Sequence, residues 1–160
     1  MNYIVSKMNW QQLQDEIYYL DGSLRDIYVD GTTRHDWIVW ADFVNQNYKT
    51  SFYSHETDIK QDKINIHKAF EFWDRISEIG ATATVFIDRI EINIHFFCEE
   101  EIENDITPTE ICSIDDHLKL VDYIVKISKV LNKKVVLTPE NSSKIELIAV
   151  NQEAITISAI

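Results

Sequence analysis

Five carboxylates within seven consecutive positions form the strongest chemical signal in the sequence. They are Glu99, Glu100, Glu101, Glu103 and Asp105, and no basic residue interrupts them. In an extended strand alternate side chains share a face, so Glu101, Glu103 and Asp105 would follow one another at ~6.6 Å, twice the rise per residue. Successive phosphates of a nucleic-acid strand have a similar separation. Such a row can therefore block a protein surface that is shaped to bind phosphates.

Most of the net negative charge of the chain lies in and around this run. The chain has a formal net charge of −12, from 27 acids and 15 bases. Residues 88–116 hold ten acids and one base, a net of −9. A nucleic-acid-binding protein needs a basic patch that displaces counterions from phosphates, and an anionic membrane surface also repels an acidic chain. The charge therefore argues against nucleic acid and membrane as partners, and it is compatible with a basic partner or simply with solubility.

Two other interpretations of the acidic run stay open. Charged side chains on an edge strand keep sheets from pairing edge to edge, so the run can be a solvated edge. Alternatively, Glu91 and His95 of the preceding strand can lie beside the run and hold Mg²⁺ in a small hydrolase. That chemistry also needs Lys or Arg near the transition-state charge, and only Arg89 is nearby in the sequence. We predict no metal and no cofactor.

Motifs for other chemistry are missing from the sequence. It contains no glycine-rich phosphate loop and no nucleophile elbow, and its histidines are scattered. We therefore predict that the protein is not an enzyme. Trp37 and Trp40 share one face of a predicted helix, which is typical of core residues. Because Trp is also enriched at the centre of interfaces, both are candidate partner-binding residues together with the five carboxylates.

The elements that must position these residues follow from hydrophobic periodicity and from turn signals. The periodicity predicts four helices, at 9–20, 33–46, 66–79 and 114–131. It predicts strands at 24–29, 49–54, 81–87, 90–97, 135–137, 145–150 and 154–160, with a loop at 55–63. With the acidic run as an eighth strand, the pattern predicts one α+β domain over residues 1–160. Its sheet is mostly antiparallel, and the helices pack chiefly on one face.

Strand 90–97 shows the clearest alternation. Its Ile90, Ile92, Ile94 and Phe96 point one way, and Glu91, Asn93, His95 and Phe97 point the other. We expect the apolar stripe of helix 114–131 to pack on the isoleucine side. In helix 66–79, the apolar stripe consists of Phe70, Trp73, Ile76 and Ile79, and Gly80 follows as the expected left-handed C-terminal cap.

The two cysteines, Cys98 and Cys112, indicate the compartment. The chain has no export-signal pattern and no apolar run of the ~20 residues that span a bilayer. We therefore expect reduced thiols in the cytoplasm, with Cys98 half-buried.

Over its whole length the chain resembles bacterial immunity proteins of polymorphic or contact-dependent toxin systems. These are small, acidic, single-domain proteins with one concentrated acidic patch and no catalytic motif. The stretches 20–29 and 92–106 are the parts most similar to that class. The resemblance implies a cytoplasmic, stoichiometric inhibitor whose acidic surface docks on a basic toxin domain, commonly a nuclease. It implies no particular fold, and a general protein-interaction module remains an alternative.

Overall fold

The structure is a computed structural model that describes residues 9–157, and a nine-stranded antiparallel sheet dominates it. The strand order is β3-β2-β4-β5-β6-β1-β7-β8-β9. The strands are β1 Arg25–Asp30, β2 Lys49–Ser54, β3 Ile59–Gln61, β4 Ala81–Ile87, β5 Ile90–Cys98, β6 Glu101–Ile106, β7 Lys134–Pro139, β8 Ile148–Asn151 and β9 Ala154–Ile157. Residues 158–160 of the predicted last strand lie outside the described residues.

The described residues form four α-helices, and three of them begin at a polar side chain that accepts from a free backbone N–H group. The four helices are α1 Trp10–Glu16, α2 Arg34–Asn47, α3 Ile66–Trp73 and α4 Ile114–Leu131. Thr33 and Asp36 form a capping box at the start of α2. At the start of α4, the Ser113 side chain accepts a hydrogen bond from the backbone N–H of Asp116. The α+β class, the four helices and the antiparallel sheet are confirmed.

The helices pack against one another as well as against the sheet. Helix α2 contacts α3 and α4, and α4 contacts β7 and β8. The helices are therefore not packed specifically on one face of the sheet, and the expectation that they pack chiefly on one face is met only in part. The side chains of Ile90, Ile92, Ile94 and Phe96 are buried as predicted. However, rings of α2 lie against Phe96, whereas the main strand contacts of α4 are with β7 and β8.

Several predicted elements differ from the structure. Helix α1 ends at Glu16 and not at residue 20, and β8 begins at Ile148 and not at residue 145. The predicted loop 55–63 contains the short strand β3, which pairs with β2. Helix α3 ends at Trp73 instead of Ile79, because the chain turns at Arg75 with a left-handed φ of 60°. Ile76 and Ile79 therefore leave the apolar stripe and are 74% and 53% exposed. Arg75, and not Gly80, takes the left-handed conformation after this helix.

A fully buried arginine fixes the connection between α1 and β1. The Arg25 guanidinium donates from Nε to the carbonyl of Ile17 at 2.7 Å and from Nη2 to that of Tyr19 at 2.7 Å. Its Nη1 donates to the Leu24 carbonyl at 2.8 Å and to the Ser23 hydroxyl at 2.9 Å. Because the chain between α1 and β1 has no regular structure, these bonds satisfy carbonyl groups that a helix or sheet would otherwise satisfy.

Substituting Arg25→Met should lower the free energy of unfolding by about 3 kcal/mol, because several carbonyl oxygens lose their donors while they remain shielded from water. Urea denaturation measures the change. Arg75→Met, at an exposed arginine, is the matched control and should shift stability by less than ~0.5 kcal/mol. Equal stability of both variants would contradict the structural role of Arg25.

A buried histidine joins the end of α1 to α4. The His117 Nδ1 atom lies 2.6 Å from the Tyr18 hydroxyl, and both side chains are fully buried. Burial lowers the pKa of His117 to about 4, and burial raises the pKa of Tyr18. The imidazole of His117 is therefore neutral, and its Nδ1 atom shares one hydrogen bond with the Tyr18 hydroxyl.

This neutral histidine should make stability depend on pH. In the unfolded chain the histidine takes up a proton near pH 6.5, whereas in the folded chain it does so near pH 4. Its contribution is therefore complete above pH ~6.5 and is lost as the pH falls through that window, by about 3 kcal/mol in all. The stability advantage of the wild type over His117→Gln should shrink accordingly between pH 7 and pH 4. An imidazole NMR signal of His117 that titrates above pH 6 would contradict this assignment.

Candidate functional site

Strand β6 carries the predicted row, and it lies inside the sheet. Its neighbours are β5 and β1, so the interpretation of the run as a solvated edge strand is wrong. Ile102 and Ile106 alternate with the acidic residues and belong to the hydrophobic core. The predicted extended row of Glu101, Glu103 and Asp105 is therefore confirmed, and it points to the side of β6 opposite these isoleucines.

Strand β1 adds two carboxylates to this row. In the antiparallel register, Asp26 lies opposite Asp105, and Asp30 lies opposite Glu101. We call the set Asp26, Asp30, Glu101, Glu103 and Asp105 the acidic face. Sequence reasoning missed Asp26 and Asp30, because their pairing with β6 joins segments about 75 residues apart. The local signal was the alternation of the polar side chains of Asp26, Tyr28 and Asp30 with the apolar side chains of Ile27 and Val29.

The carboxylates of the acidic face repel one another without full compensation. Burial raises the pKa of Glu101, and the charges of Asp30 and Glu103 raise it further. Burial also raises the pKa of Glu103, with a further contribution from Asp26. Like charges directly opposite each other in a sheet are destabilising. The fold thus holds these groups together at a cost in stability.

Two side chains partly relieve this repulsion. His95 of β5 forms an ion pair through Nε2 with Asp105, and this hydrogen bond raises the pKa of His95. The Tyr28 hydroxyl donates to Asp26 Oδ2 at 3.0 Å, and the backbone N–H of Asn141 donates to the same oxygen at 2.8 Å. These contacts therefore fix the carboxylates of Asp26 and Asp105, and both residues are buried.

The other two predicted acids lie at the turn between β5 and β6. The Glu99 carboxylate accepts from Arg34 Nε at 3.1 Å, and Arg34 also donates to both oxygens of Asp74 at 2.5 and 2.9 Å. Glu100 is exposed. The structure therefore divides the five predicted carboxylates into three on the acidic face and two on the neighbouring turn.

The two predicted tryptophans lie in the core. Trp37 and Trp40 are both 0% exposed, so they are removed from the candidate surface. The Trp37 indole N–H donates to the Glu99 carbonyl at 3.1 Å, which supports the turn from below. The exposed aromatic residue near the acidic face is Phe97, which is 65% exposed and stacks on the His95 ring at 5.3 Å. Strand alternation already places Phe97 on the polar side of β5.

Within residues 9–157, no group of three or more His, Cys, Asp or Glu side chains is arranged to hold a metal ion. Both cysteines are free; Cys98 is half-buried, as expected, and Cys112 is exposed. None of the described helices is long and apolar enough to cross a membrane.

Comparisons of the chain with protein-family models, with curated proteins and with solved structures find no match.

Replacing the two half-buried glutamates by glutamine should stabilise the protein. Glu101→Gln with Glu103→Gln removes like charges and should raise the free energy of unfolding at pH 7 by about 1 kcal/mol. Raised carboxyl pKa values mean that wild-type stability increases as the pH falls towards the ordinary value of ~4.3. The advantage of the variant should therefore vanish near pH 4, as urea denaturation at several pH values can measure.

The matched control is Glu16→Gln with Asp42→Asn, which removes two exposed helix charges outside the acidic face. Its stability should change by less than ~0.5 kcal/mol. If both double variants gain equally, the gain comes from net charge and not from crowding on the acidic face.

Proposed function

We propose that the protein is an immunity protein that binds and neutralises a basic toxin domain through its acidic face. The observation that carries the proposal is the position of five carboxylates on two neighbouring strands inside the sheet, where His95 is the one base ion-paired with them among the described residues. Such a surface complements a positively charged protein, and a nuclease has a positive cleft because its substrate is negative.

The energetic cost of the acidic face supports a role in binding. An edge strand gains protection from aggregation when it carries charge, but β6 has partners on both sides and gains nothing of that kind. Folding would favour neutral residues at Glu101 and Glu103, whose pKa values are raised by burial and by their neighbours. Lys or Arg side chains of a partner would relieve this repulsion on contact.

The dimensions of the acidic face also suit a phosphate-binding cleft. Because Asp26 and Asp105 are buried, its accessible carboxylates are those of Asp30, Glu101 and Glu103. Glu101 and Glu103 follow each other at ~6.6 Å along β6, and Asp30 lies opposite Glu101 at the ~4.8 Å spacing of neighbouring strands. These three carboxylates can meet several phosphate-binding groups at once. Long-range attraction would speed association, and Phe97 offers an exposed aromatic contact beside the charges.

The proposal requires that the helices leave this side of β1 and β6 open. Ile27 and Val29 of β1, like Ile102 and Ile106 of β6, are core residues on the opposite side. The Tyr123 hydroxyl of α4 donates to the Asn104 side chain on that same opposite side, at 3.3 Å. These contacts support helix packing chiefly on the side away from the acidic face.

Reversal of two charges tests the proposal. Glu101→Lys with Glu103→Lys should slow association with the cognate basic toxin domain at least tenfold, because steering is lost. Added salt should slow the wild type steeply and the variant weakly. Stopped-flow or surface-plasmon-resonance kinetics at low and high salt measure both effects, and co-expression with the toxin reports neutralisation.

The matched control is Glu16→Lys with Asp42→Lys, which changes the net charge of −12 by the same four units at exposed helix positions. It should retain an association rate within about threefold of the wild type, since distant exposed charges are screened beyond ~8 Å. Equal rates for both double variants would show that the acidic face is not the docking surface. Tight binding without neutralisation of toxicity would favour a general interaction module.

A further inference from the structure

A groove of about 690 Å³ lies beside the acidic face, between the end of α3 and the turn that joins β5 to β6. Its wall includes the aromatic side chains of Phe72, Trp73 and Phe97 and the thiol of Cys98. The Trp73 indole is fixed in place, because its N–H donates to the Phe96 carbonyl at 2.9 Å. The groove therefore has a fixed, partly buried indole and an exposed ring, that of Phe97, among its lining side chains.

The charged side chains around the groove differ in whether they form ion pairs. Arg34 is held by Asp74 and Glu99. Within the described part of the chain, neither Glu78 nor Glu100 forms an ion pair, although both line the groove. The Glu100 carboxylate lies against the Cys98 thiol and adds to the effect of burial, which raises the pKa of that thiol. Glu100 thus adds to the lining of the groove a carboxylate that has no basic ion-pair partner within residues 9–157.

We propose that this groove binds one arginine side chain of the basic partner. The planar guanidinium stacks on the aromatic wall formed by Trp73 and Phe97, and its donors reach the carboxylates of Glu100 and Glu78. Arginine suits this combination because its cation stacks on aromatic rings and pairs with carboxylates in a fork. A buried arginine of this kind is a frequent centre of binding energy in interfaces.

The groove is continuous with the acidic face through Phe97, which lines the groove and stacks on His95. The inference rests on the proposed function for the identity of the partner, although binding of arginine itself can be measured without that partner. Arg75 also lines the groove and forms no ion pair within residues 9–157. The positive charge of Arg75 repels a cationic occupant, so its removal should strengthen the binding of a cation and weaken the binding of an anion.

The experiment is an NMR titration of the full chain with N-acetyl-arginine amide, followed at the indole N–H of Trp73. We expect a saturable shift. N-acetyl-citrulline amide, which has the same shape without the charge, should bind at least fivefold more weakly, and N-acetyl-glutamate amide should cause no saturable shift. Glu100→Gln should weaken arginine binding at least threefold, and Arg75→Gln should strengthen it at least twofold. Glu16→Gln, which removes an equal charge on α1, should leave the affinity within 1.5-fold.

Three results would overturn the proposal: no saturable shift with the arginine probe, equal affinity for the citrulline probe, or tighter binding of the glutamate probe together with loss of binding in Arg75→Gln. The last would assign the groove to an anionic side chain. The acidic-face variant Glu101→Lys with Glu103→Lys should bind the arginine probe within about threefold of the wild type. A failure of the groove is therefore distinguishable from a failure of the acidic face in toxin binding.

Discussion

The antiparallel pairing of β1 with β6 is the constraint on which the rest of the candidate surface depends. Side chains of a strand alternate between two faces, and both strands bury isoleucine or valine on one of them. A slip of one residue would bring carboxylates into the core and isoleucines into water. Burial of Ile27, Val29, Ile102 and Ile106 therefore forces Asp26, Asp30, Glu101, Glu103 and Asp105 together, against their mutual repulsion. The hydrophobic core imposes an arrangement that electrostatics alone would disperse.

The sequence predicted the parts of this arrangement that follow from local patterns and missed the parts that depend on contacts between distant segments. The alternation within 90–97 and 101–105 is local, so the orientation of Ile92 and of Glu103 followed from it. The place of β6 inside the sheet depends on contacts with a strand about 75 residues earlier, which local patterns do not report. For the same reason, the sequence identified the acidic row but missed Asp26 and Asp30. The end of α3 was missed because Ile76 and Ile79 keep the helical spacing although they face solvent.

The two tryptophans show a related limit. Spacing placed Trp37 and Trp40 correctly on one helix face, but spacing is the same for a core face and for an interface face. What distinguishes them is what lies opposite, and here Phe96 and Trp73 cover Trp37. Phe97, one residue after Phe96, has the opposite orientation and remains exposed. A single step along β5 thus separates the centre of the core from the aromatic residue beside the acidic face.

The crowded carboxylates also couple docking at this surface to the release of protons. As the pH falls, Glu101 and Glu103 take up protons before isolated glutamates do, because burial and neighbouring charges raise their pKa values. Any cationic protein that docks there would lower those values again and release protons to the buffer. The heat measured on docking would then vary with the ionisation enthalpy of the buffer. Calorimetry in two buffers would thus count the protons that this surface exchanges for a partner.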